Sequence, residues 1–199
     1  MGSHLVKKFV VGFLLVTSGV FAQADEGNSG NRESWYTLWS LGSADITYPG
    51  DLNTIMNYLE DQDGVTRTKI AMDLLGFYKH LSPQTIGGVV INGAADRMEV
   101  DDSWMQLNQY LYGISMITYP GKRFGSGLFL RADAGLAKMV MQDSDGDTDS
   151  SENGFGILGG AGYSFDLGGT RLLINVNYAL RRIEDEDATT MGITVSGLF

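Results

Sequence analysis

The sequence contains no cysteine and only 3 prolines among its 199 residues. Without cysteine the chain can form no disulfide, no thiolate metal site and no cysteine nucleophile, and it carries no cysteine for N-terminal lipidation. Few prolines beside 27 glycines suit curved, closely packed strands better than a disordered chain. After residue 24, no apolar run approaches the ~18 residues of a membrane-spanning helix.

Positive charge is also scarce. The chain has 14 Lys and Arg against 24 Asp and Glu, which gives a formal net charge of −10. Binding to nucleic-acid phosphates requires a basic surface, so the composition predicts no nucleic-acid partner.

The N-terminal segment has the pattern of an export signal. Lys7 and Lys8 precede an apolar run at residues 9–16, and Ala22-Gln-Ala24 follows. This order is typical of a secretory signal peptide, which we predict at residues 1–24 with cleavage after Ala22 or Ala24. An N-terminal membrane anchor is the alternative, although the run is short for a spanning helix. Polar residues 25–33 are predicted to form a flexible lead-in to one domain, residues 34–199.

Polarity alternates along most of that domain. In residues 170–182, for example, Ile174 and Val176 alternate with Asn175 and Asn177. Alternating segments of about ten residues are typical of membrane β-barrel strands. Eight segments are predicted to form strands: 35–44, 66–81, 84–98, 104–119, 127–142, 154–165, 170–182 and 189–199. The pattern predicts an all-β, eight-stranded antiparallel transmembrane barrel; a soluble β-sandwich is the alternative, disfavoured by charges in the middle of strands.

The alternation also assigns faces. In residues 66–81, it places Tyr78 on the apolar, outward face and Phe77 on the inward face with the charged residues. In residues 154–165, it places Gly156 and Gly160 inward.

The connections alternate between short turns and longer or more polar loops. The loops are residues 45–65, 99–103, 143–153 and 184–187. Short turns on the periplasmic side and longer loops outside are usual for bacterial barrels. Both termini are therefore predicted to be periplasmic.

Polar residues within the strands are predicted to meet in the lumen. They are Lys69, Asp73, Asp96, Arg131, Asp133, Asn175, Asn177 and Arg181. Because an eight-stranded barrel is only wide enough for side chains to fill it, we expect opposite charges to pair and close the lumen. A narrow water or ion path is the alternative.

The first outer loop contains a helical pattern. Leu52, Ile55, Met56 and Leu59 have the spacing of one helical face, which predicts a helix at residues 51–62. Asp51 can cap its N-terminus, and Gly64 can end it. A lid over the barrel mouth is the preferred interpretation, with partner docking or contact with the outer leaflet as alternatives.

The third outer loop is strongly acidic. Its carboxylates are Asp143, Asp145, Asp147, Asp149 and Glu152. Such hard oxygens are ligands that Ca²⁺ prefers, so the loop is a candidate calcium site. The glycine position differs from that of an EF-hand loop, which favours a solvated, self-repelling segment. No cofactor is predicted.

The chain ends with apolar residues at every second position from Met191 up to the terminal Phe199. This ending resembles the C-terminal strand signal that the outer-membrane assembly machinery recognises. Together with the export signal, it makes residues 35–199 similar to the OmpA/OmpX-like group of small eight-stranded barrels. The resemblance implies an integral bacterial outer-membrane protein that contacts outer-membrane lipid and, through Phe199, the assembly machinery. The loop helix departs from the plainest members, so their individual roles do not transfer.

A catalytic site is not predicted. His80 is the only histidine after the signal peptide; it lies at a short turn beside Ser82, and no oxyanion-binding arrangement is recognisable. The predicted function is therefore structural, or interaction with an unidentified surface partner through the outer loops. The alternatives are a narrow channel or porin for small solutes or ions, and a lipid-modifying enzyme that uses His80.

Overall fold

The computed structural model describes residues 35–121 and 124–199. The predicted signal peptide and the lead-in lie outside the described residues. The described elements are β1 (Trp35–Thr47), α1 (Gly50–Glu60), β2 (Thr66–Ser82), β3 (Thr85–Val100), β4 (Ser103–Thr118), β5 (Gly127–Asp143), β6 (Thr148–Ser150), β7 (Gly154–Asp166), β8 (Arg171–Ile183) and β9 (Glu186–Leu198). No helix in these ranges is long and apolar enough to cross a membrane.

The strands close into one antiparallel barrel. Each long strand pairs with its neighbours in the chain, β5 pairs with β7, and β1 pairs with β9 from Leu38↔Leu198 to Thr47↔Thr189. The predicted eight-stranded barrel with one short helix is confirmed. The three-residue strand β6 was not predicted; it pairs only with the loop end of β5, where Thr148 lies opposite Gln142.

The strands extend further into the outer loops than predicted. The stretch 184–187 is a tight turn in which Glu184 and Asp185 have φ of 53° and 64°, so β9 already begins at Glu186. Two successive positive φ values are characteristic of the type I′ hairpin turn, which matches the twist of the flanking strands. The acidic character of this segment had suggested a loop.

An apolar belt covers the outside of the barrel. Every long strand contributes exposed apolar side chains, among them Leu41, Leu74, Val89, Ile114, Leu128, Ile157, Ile174 and Ile193. The exposed fraction reaches 68% at Ile114 and 67% at Leu128. A soluble protein rarely exposes contiguous apolar surface on this scale.

Inside the barrel, buried side chains form three layers. An apolar turn-end cluster lies beside the short turns and consists of Leu38, Tyr78, Ile86, Ile117, Tyr119, Phe129, Leu173 and Leu198. An apolar loop-end cluster lies at the opposite end and consists of Ile46, Tyr48, Met56, Ala94, Met98 and Leu107. Between the two clusters lie buried polar and charged side chains, here called the polar layer.

The predicted faces of Phe77 and Tyr78 are wrong. Tyr78 is fully buried in the turn-end cluster, whereas Phe77 is 41% exposed on the outside. The pairing of β2 with β3 shifts register between Asp73 and Leu75, which indicates a β-bulge. Because side chains alternate with a period of two, one extra residue reverses every face beyond it.

Candidate functional site

An ionic triad forms the centre of the polar layer. Arg131 on β5 binds Asp73 on β2 through both terminal nitrogens, with Nη1–Oδ2 and Nη2–Oδ1 distances of 2.7 and 2.6 Å. The same guanidinium donates to Asp133, with Nη2 2.6 Å from Oδ2 and Nε 3.0 Å from Oδ1. All three side chains are buried. A bidentate arginine–carboxylate pair is among the strongest hydrogen-bonded arrangements in proteins.

Neutral side chains complete the hydrogen bonding of both carboxylates. The Ser40 hydroxyl donates to Asp73 Oδ2 at 2.5 Å. Asp133 accepts from the Ser115 hydroxyl at 2.5 Å and from Asn92 Nδ2 at 2.8 Å. A buried charge is tolerated when it is both paired and hydrogen-bonded, which is the situation of each carboxylate here.

A second buried arginine lies nearer the loop end. Arg181 Nη1 lies 3.2 Å from the Thr190 hydroxyl, and its Nη2 lies 3.2 Å from Asn92 Oδ1. No carboxylate of the described residues forms an ion pair with Arg181. Asn92 connects the two arginine centres, because its amide nitrogen donates to Asp133 while its oxygen accepts from Arg181. Two arginines and two aspartates give the polar layer a formal charge of zero.

The two predicted asparagines lie across the lumen from the triad. The Thr194 hydroxyl donates to Asn175 Oδ1 and accepts from Asn177 Nδ2. A cavity beside Asn177 and Arg181 leaves about 20 Å³ for the centre of a water molecule. That volume suits a buried water rather than a solute.

Glycines on the inner face of β7 make room for this network. A Cβ on Gly160 would lie 2.1 Å from Asn177 Oδ1. A Cβ on Gly156 would lie 2.8 Å from Leu111 Cδ1 and 3.4 Å from Arg181 Cγ. The space beside Gly156 and Gly160 is therefore filled by larger side chains from other strands.

Six of the eight predicted lumen residues lie in the polar layer, and two lie closer to the mouth. Asp96 pairs with Arg67, and Lys69 Nζ lies 3.8 Å from Glu60 Oε2 of α1. Arg67 is not among the predicted lumen residues, although it precedes Lys69 by two positions and therefore shares its face.

Arg67 links the barrel wall to α1. Its Nε and Nη2 donate to the two oxygens of the buried Asp96 at 2.9 and 2.6 Å. Its Nη1 donates to Glu60 Oε2 at 2.7 Å and to Asn57 Oδ1 at 3.2 Å, both on α1. Tyr48 lies in the connection between β1 and α1, where burial, and then the charge of Asp96, raise the pKa of its hydroxyl.

The helix covers the loop end of the lumen with a narrower face than predicted. Met56 is 1% exposed, and Leu52 and Leu59 pack partly against the loop-end cluster. Ile55 is 52% exposed, so its assignment to the packed face is wrong. It lies at the edge of the stripe formed by positions 52, 56 and 59, on the side that turns towards solvent.

The predicted ends of α1 also need correction. The capping position is Pro49, and no side chain caps the helix, so Asp51 lies in the first turn instead. The Asn53 side-chain oxygen accepts from the backbone N–H of Tyr48 at 3.3 Å, outside the helix. At its other end, α1 stops at Glu60, before Gly64.

The acidic third loop does not assemble the candidate calcium site. Asp143 Oδ1 accepts the backbone N–H groups of Asp145 and Asp147, each at 3.0 Å. No group of three or more His, Cys, Asp or Glu side chains in residues 35–121 and 124–199 is placed to hold a metal ion. The Asp143 carboxylate therefore binds the backbone of its own turn.

His80 contacts aromatic and backbone groups at the turn end. Its Nε2 lies 3.0 Å from the Tyr36 hydroxyl, and its Nδ1 lies 3.2 Å from the carbonyl oxygen of Ser82. The Ser82 hydroxyl accepts instead from the backbone N–H of Gln84. His80 and Ser82 therefore do not form a nucleophile–base pair in this structure.

Phe199 lies at the seam that closes the barrel. Its backbone exchanges two hydrogen bonds of 3.0 Å with Thr37, and its ring stacks on Trp39 with a centroid distance of 6.0 Å. Its role as an assembly signal stays a prediction.

Comparisons with known proteins find likeness in solved structures only. No protein-family model and no curated protein sequence matches the chain. Ail of Yersinia pestis, the attachment invasion locus protein, is 13% identical, with a TM-score of 0.45 over 82% of this chain and 98% of that one. Neisserial surface protein A is 12% identical, with a TM-score of 0.46 over 81% and 95%. The N-terminal β-barrel domain of Pseudomonas aeruginosa OprF is 13% identical, with a TM-score of 0.43 over 84% and 98%. Likenesses this distant transfer no ligand or role to this chain.

Proposed function

We propose that this protein is an integral outer-membrane β-barrel whose lumen is closed to solutes and whose role is structural or depends on its loops. The proposal rests on the distribution of polar and apolar side chains, which is the reverse of that in a soluble protein. The outside of the barrel bears an apolar belt, whereas its centre contains two arginines and two aspartates. A closed barrel leaves no unpaired strand edge, which is the condition for strands to span lipid.

The closed lumen follows from the three internal layers. A solute would have to pass the turn-end cluster, the ionic triad and the loop-end cluster beneath α1. Separating the buried triad would leave charges without partners, which is energetically costly. This arrangement favours a filled barrel over the narrow channel that the sequence left open.

The ends of the barrel differ in a way that supports an orientation with the termini in the periplasm. Residues 48–65, 143–153 and 184–187 carry many carboxylates and no lysine or arginine. The opposite end has short turns, such as Leu167 to Thr170, where the Leu167 N–H donates to the Thr170 carbonyl at 2.9 Å. The two longer segments, residues 48–65 and 143–153, are expected to face the cell exterior, because the extracellular loops of such barrels are usually the longer ones.

Membrane insertion and orientation can be tested together in a Gram-negative host. Because the chain has no cysteine, Asp147→Cys in the acidic loop and Gln84→Cys in a short turn each supply one thiol. We expect both variants in the outer-membrane fraction. A membrane-impermeant maleimide should label Asp147→Cys on intact cells and Gln84→Cys only after permeabilisation. The reverse pattern would contradict the orientation, and recovery in the soluble fraction would contradict the membrane assignment.

A further inference from the structure

The loop end of the lumen is lined by apolar side chains, although it lies next to the aqueous loops. Met98, Leu107 and Ala94 point inward there, and Met105 and Met139 pack around them. We call this space the mouth chamber. Apolar walls beside water require a cover, since exposure of apolar side chains to water is unfavourable. The cover is α1, whose Met56 fills the chamber.

The attachment of this cover is slight. Met56 is the only residue of α1 that is fully buried. Glycines with positive φ lie near both ends of the helix: Gly50, its first residue, has φ of 53°, and Gly64, four positions after its last residue, has φ of 84°. A Cβ at either position would have no other atom within 4 Å. Such residues can absorb a change in backbone direction without a steric clash.

The polar part of the attachment is concentrated in one side chain. Arg67 is held by the buried Asp96 and reaches Glu60 and Asn57 on α1. Glu60 is partly exposed, so this contact can exchange with water without leaving an unpaired buried charge on the helix. The remaining ion-pair contact to α1 is longer, with Lys69 Nζ 3.8 Å from Glu60.

From this arrangement we infer that α1 is a reversible lid, latched by Arg67, and that the mouth chamber accepts a single alkyl chain when the lid lifts. A ligand can shift the lid only if it binds the open state better than the closed one. The open state exposes methionine and leucine side chains, so the ligand that stabilises it is apolar. Methionine side chains adapt readily to different apolar shapes.

The charged side chains around the mouth chamber determine which head group the ligand can carry. Arg67 and Lys69 also lie near the mouth, but Glu60 and Asp96 pair with them. The remaining charges on the loop that carries α1 are the exposed Asp51, Asp61 and Asp63, and residues 48–65 contain no lysine or arginine. An anionic head group would be repelled there, whereas a cationic one would be attracted. The chemistry therefore fits an alkyl chain with a cationic head group.

The lid can be tested with single cysteines in lipid nanodiscs, independently of whether the barrel conducts. Met56→Cys places the only thiol under the lid, and Ile55→Cys places one on its exposed side as a matched control. We expect Met56→Cys to react with a maleimide at least tenfold more slowly than Ile55→Cys. Arg67→Ala should accelerate labelling of Met56→Cys at least tenfold. Arg182→Ala, which removes an arginine paired with Asp187 at the same end of the barrel, should leave the rate unchanged.

Decyltrimethylammonium then serves as the probe for the chamber, with decyl sulfate as an anionic chain of the same length. The cationic probe should speed labelling of Met56→Cys, because residue 56 moves out of the mouth chamber when the lid opens. It should slow labelling of Leu107→Cys in the Arg67→Ala background, because position 107 stays in the chamber wall. Decyl sulfate should have a smaller effect on both. If labelling at position 56 is indifferent to Arg67, or if positions 56 and 107 respond in the same direction, the inference is wrong. Ile55→Cys, labelled at the same rate throughout, shows that the probes do not alter the reactivity of an exposed thiol, and gel mobility shows that the barrel remains folded.

Discussion

Arg131 and Asp73 lie 58 positions apart in the sequence, yet they form a bidentate ion pair across the barrel lumen. The pair joins β5 to β2, which are not neighbours in the sheet. It therefore ties opposite walls of the barrel together in a way that backbone hydrogen bonds cannot.

Removing Arg131 should destabilise the barrel strongly. Arg131→Ala leaves Asp73 and Asp133 buried without their cation, and breaking a buried ion pair from one side costs about 3–5 kcal/mol. The measurement is the free energy of unfolding by urea in lipid vesicles, followed by tryptophan fluorescence. Arg182→Ala is the control, because its pair with Asp187 is exposed and should contribute little. Equal stability of the two variants would contradict the role of the triad.

Alanine substitution at two adjacent glycines of β7 should have opposite effects on the stability of the barrel. Gly160→Ala places a Cβ 2.1 Å from Asn177 Oδ1, and overpacking of this kind costs about 1–3 kcal/mol. Gly159→Ala points outward, with nothing within 4 Å of its Cβ. It should be neutral or should stabilise the barrel by about 0.4–1 kcal/mol, since alanine restricts the unfolded chain. Similar effects at both positions would show that the inner face of β7 is not tightly packed.

Alkaline pH should destabilise the barrel partly through Tyr48. Burial raises the pKa of its hydroxyl in the folded state, whereas an unfolded tyrosine ionises near about pH 10. Below that pH the Tyr48 hydroxyl is protonated in both the folded and the unfolded state. Above it only the unfolded state loses the proton, so stability falls as pH rises towards the folded pKa.

The variant Tyr48→Phe isolates this contribution. It should lose less unfolding free energy than the parent protein when the pH is raised from about 9 to about 12. The difference between the two pH profiles is the relevant quantity, because the other tyrosines are common to both chains. Parallel profiles would exclude Tyr48 as a source of the alkaline sensitivity.

Calcium should not alter the stability of the protein. Asp143 directs an oxygen at the backbone of its own turn, and no group of three or more His, Cys, Asp or Glu side chains among the described residues is placed to hold a metal ion. Thermal unfolding should therefore occur at the same temperature with millimolar CaCl₂ and with EDTA. A higher melting temperature in calcium that is lost in Asp145→Asn would restore the calcium interpretation.

The strands could be predicted from sequence because period-two alternation is a local property. Segments such as 84–98 and 154–165 differ from β3 and β7 by at most two residues at either end. The inward or outward orientation of a side chain was predictable wherever the alternation of polar and apolar residues is uninterrupted. The bulge near Leu75 interrupts it, and nothing in the local pattern marks the extra residue, so Tyr78 was assigned to the wrong side.

The charged residues inside the strands could be identified individually, but their partners could not. Which carboxylate meets Arg131 depends on the stagger of the strands around the barrel, a property of the closed sheet rather than of any segment. Arg67 was missed for a related reason. It lies at the start of β2, and although a helix over the mouth was predicted, the strand residue that this helix contacts depends on how α1 is seated. The exposed position of Ile55 likewise depends on how α1 is seated.

Single-channel recording tests whether the lumen is closed. The predicted mature chain, residues 25–199, would be refolded in lipid, shown to be folded by its gel mobility, and reconstituted in a planar bilayer. We expect no discrete conductance steps, because the ionic triad lies between two apolar clusters. Reproducible steps that change with Arg131→Ala or Asp133→Ala would contradict a closed lumen and would make it a path for ions.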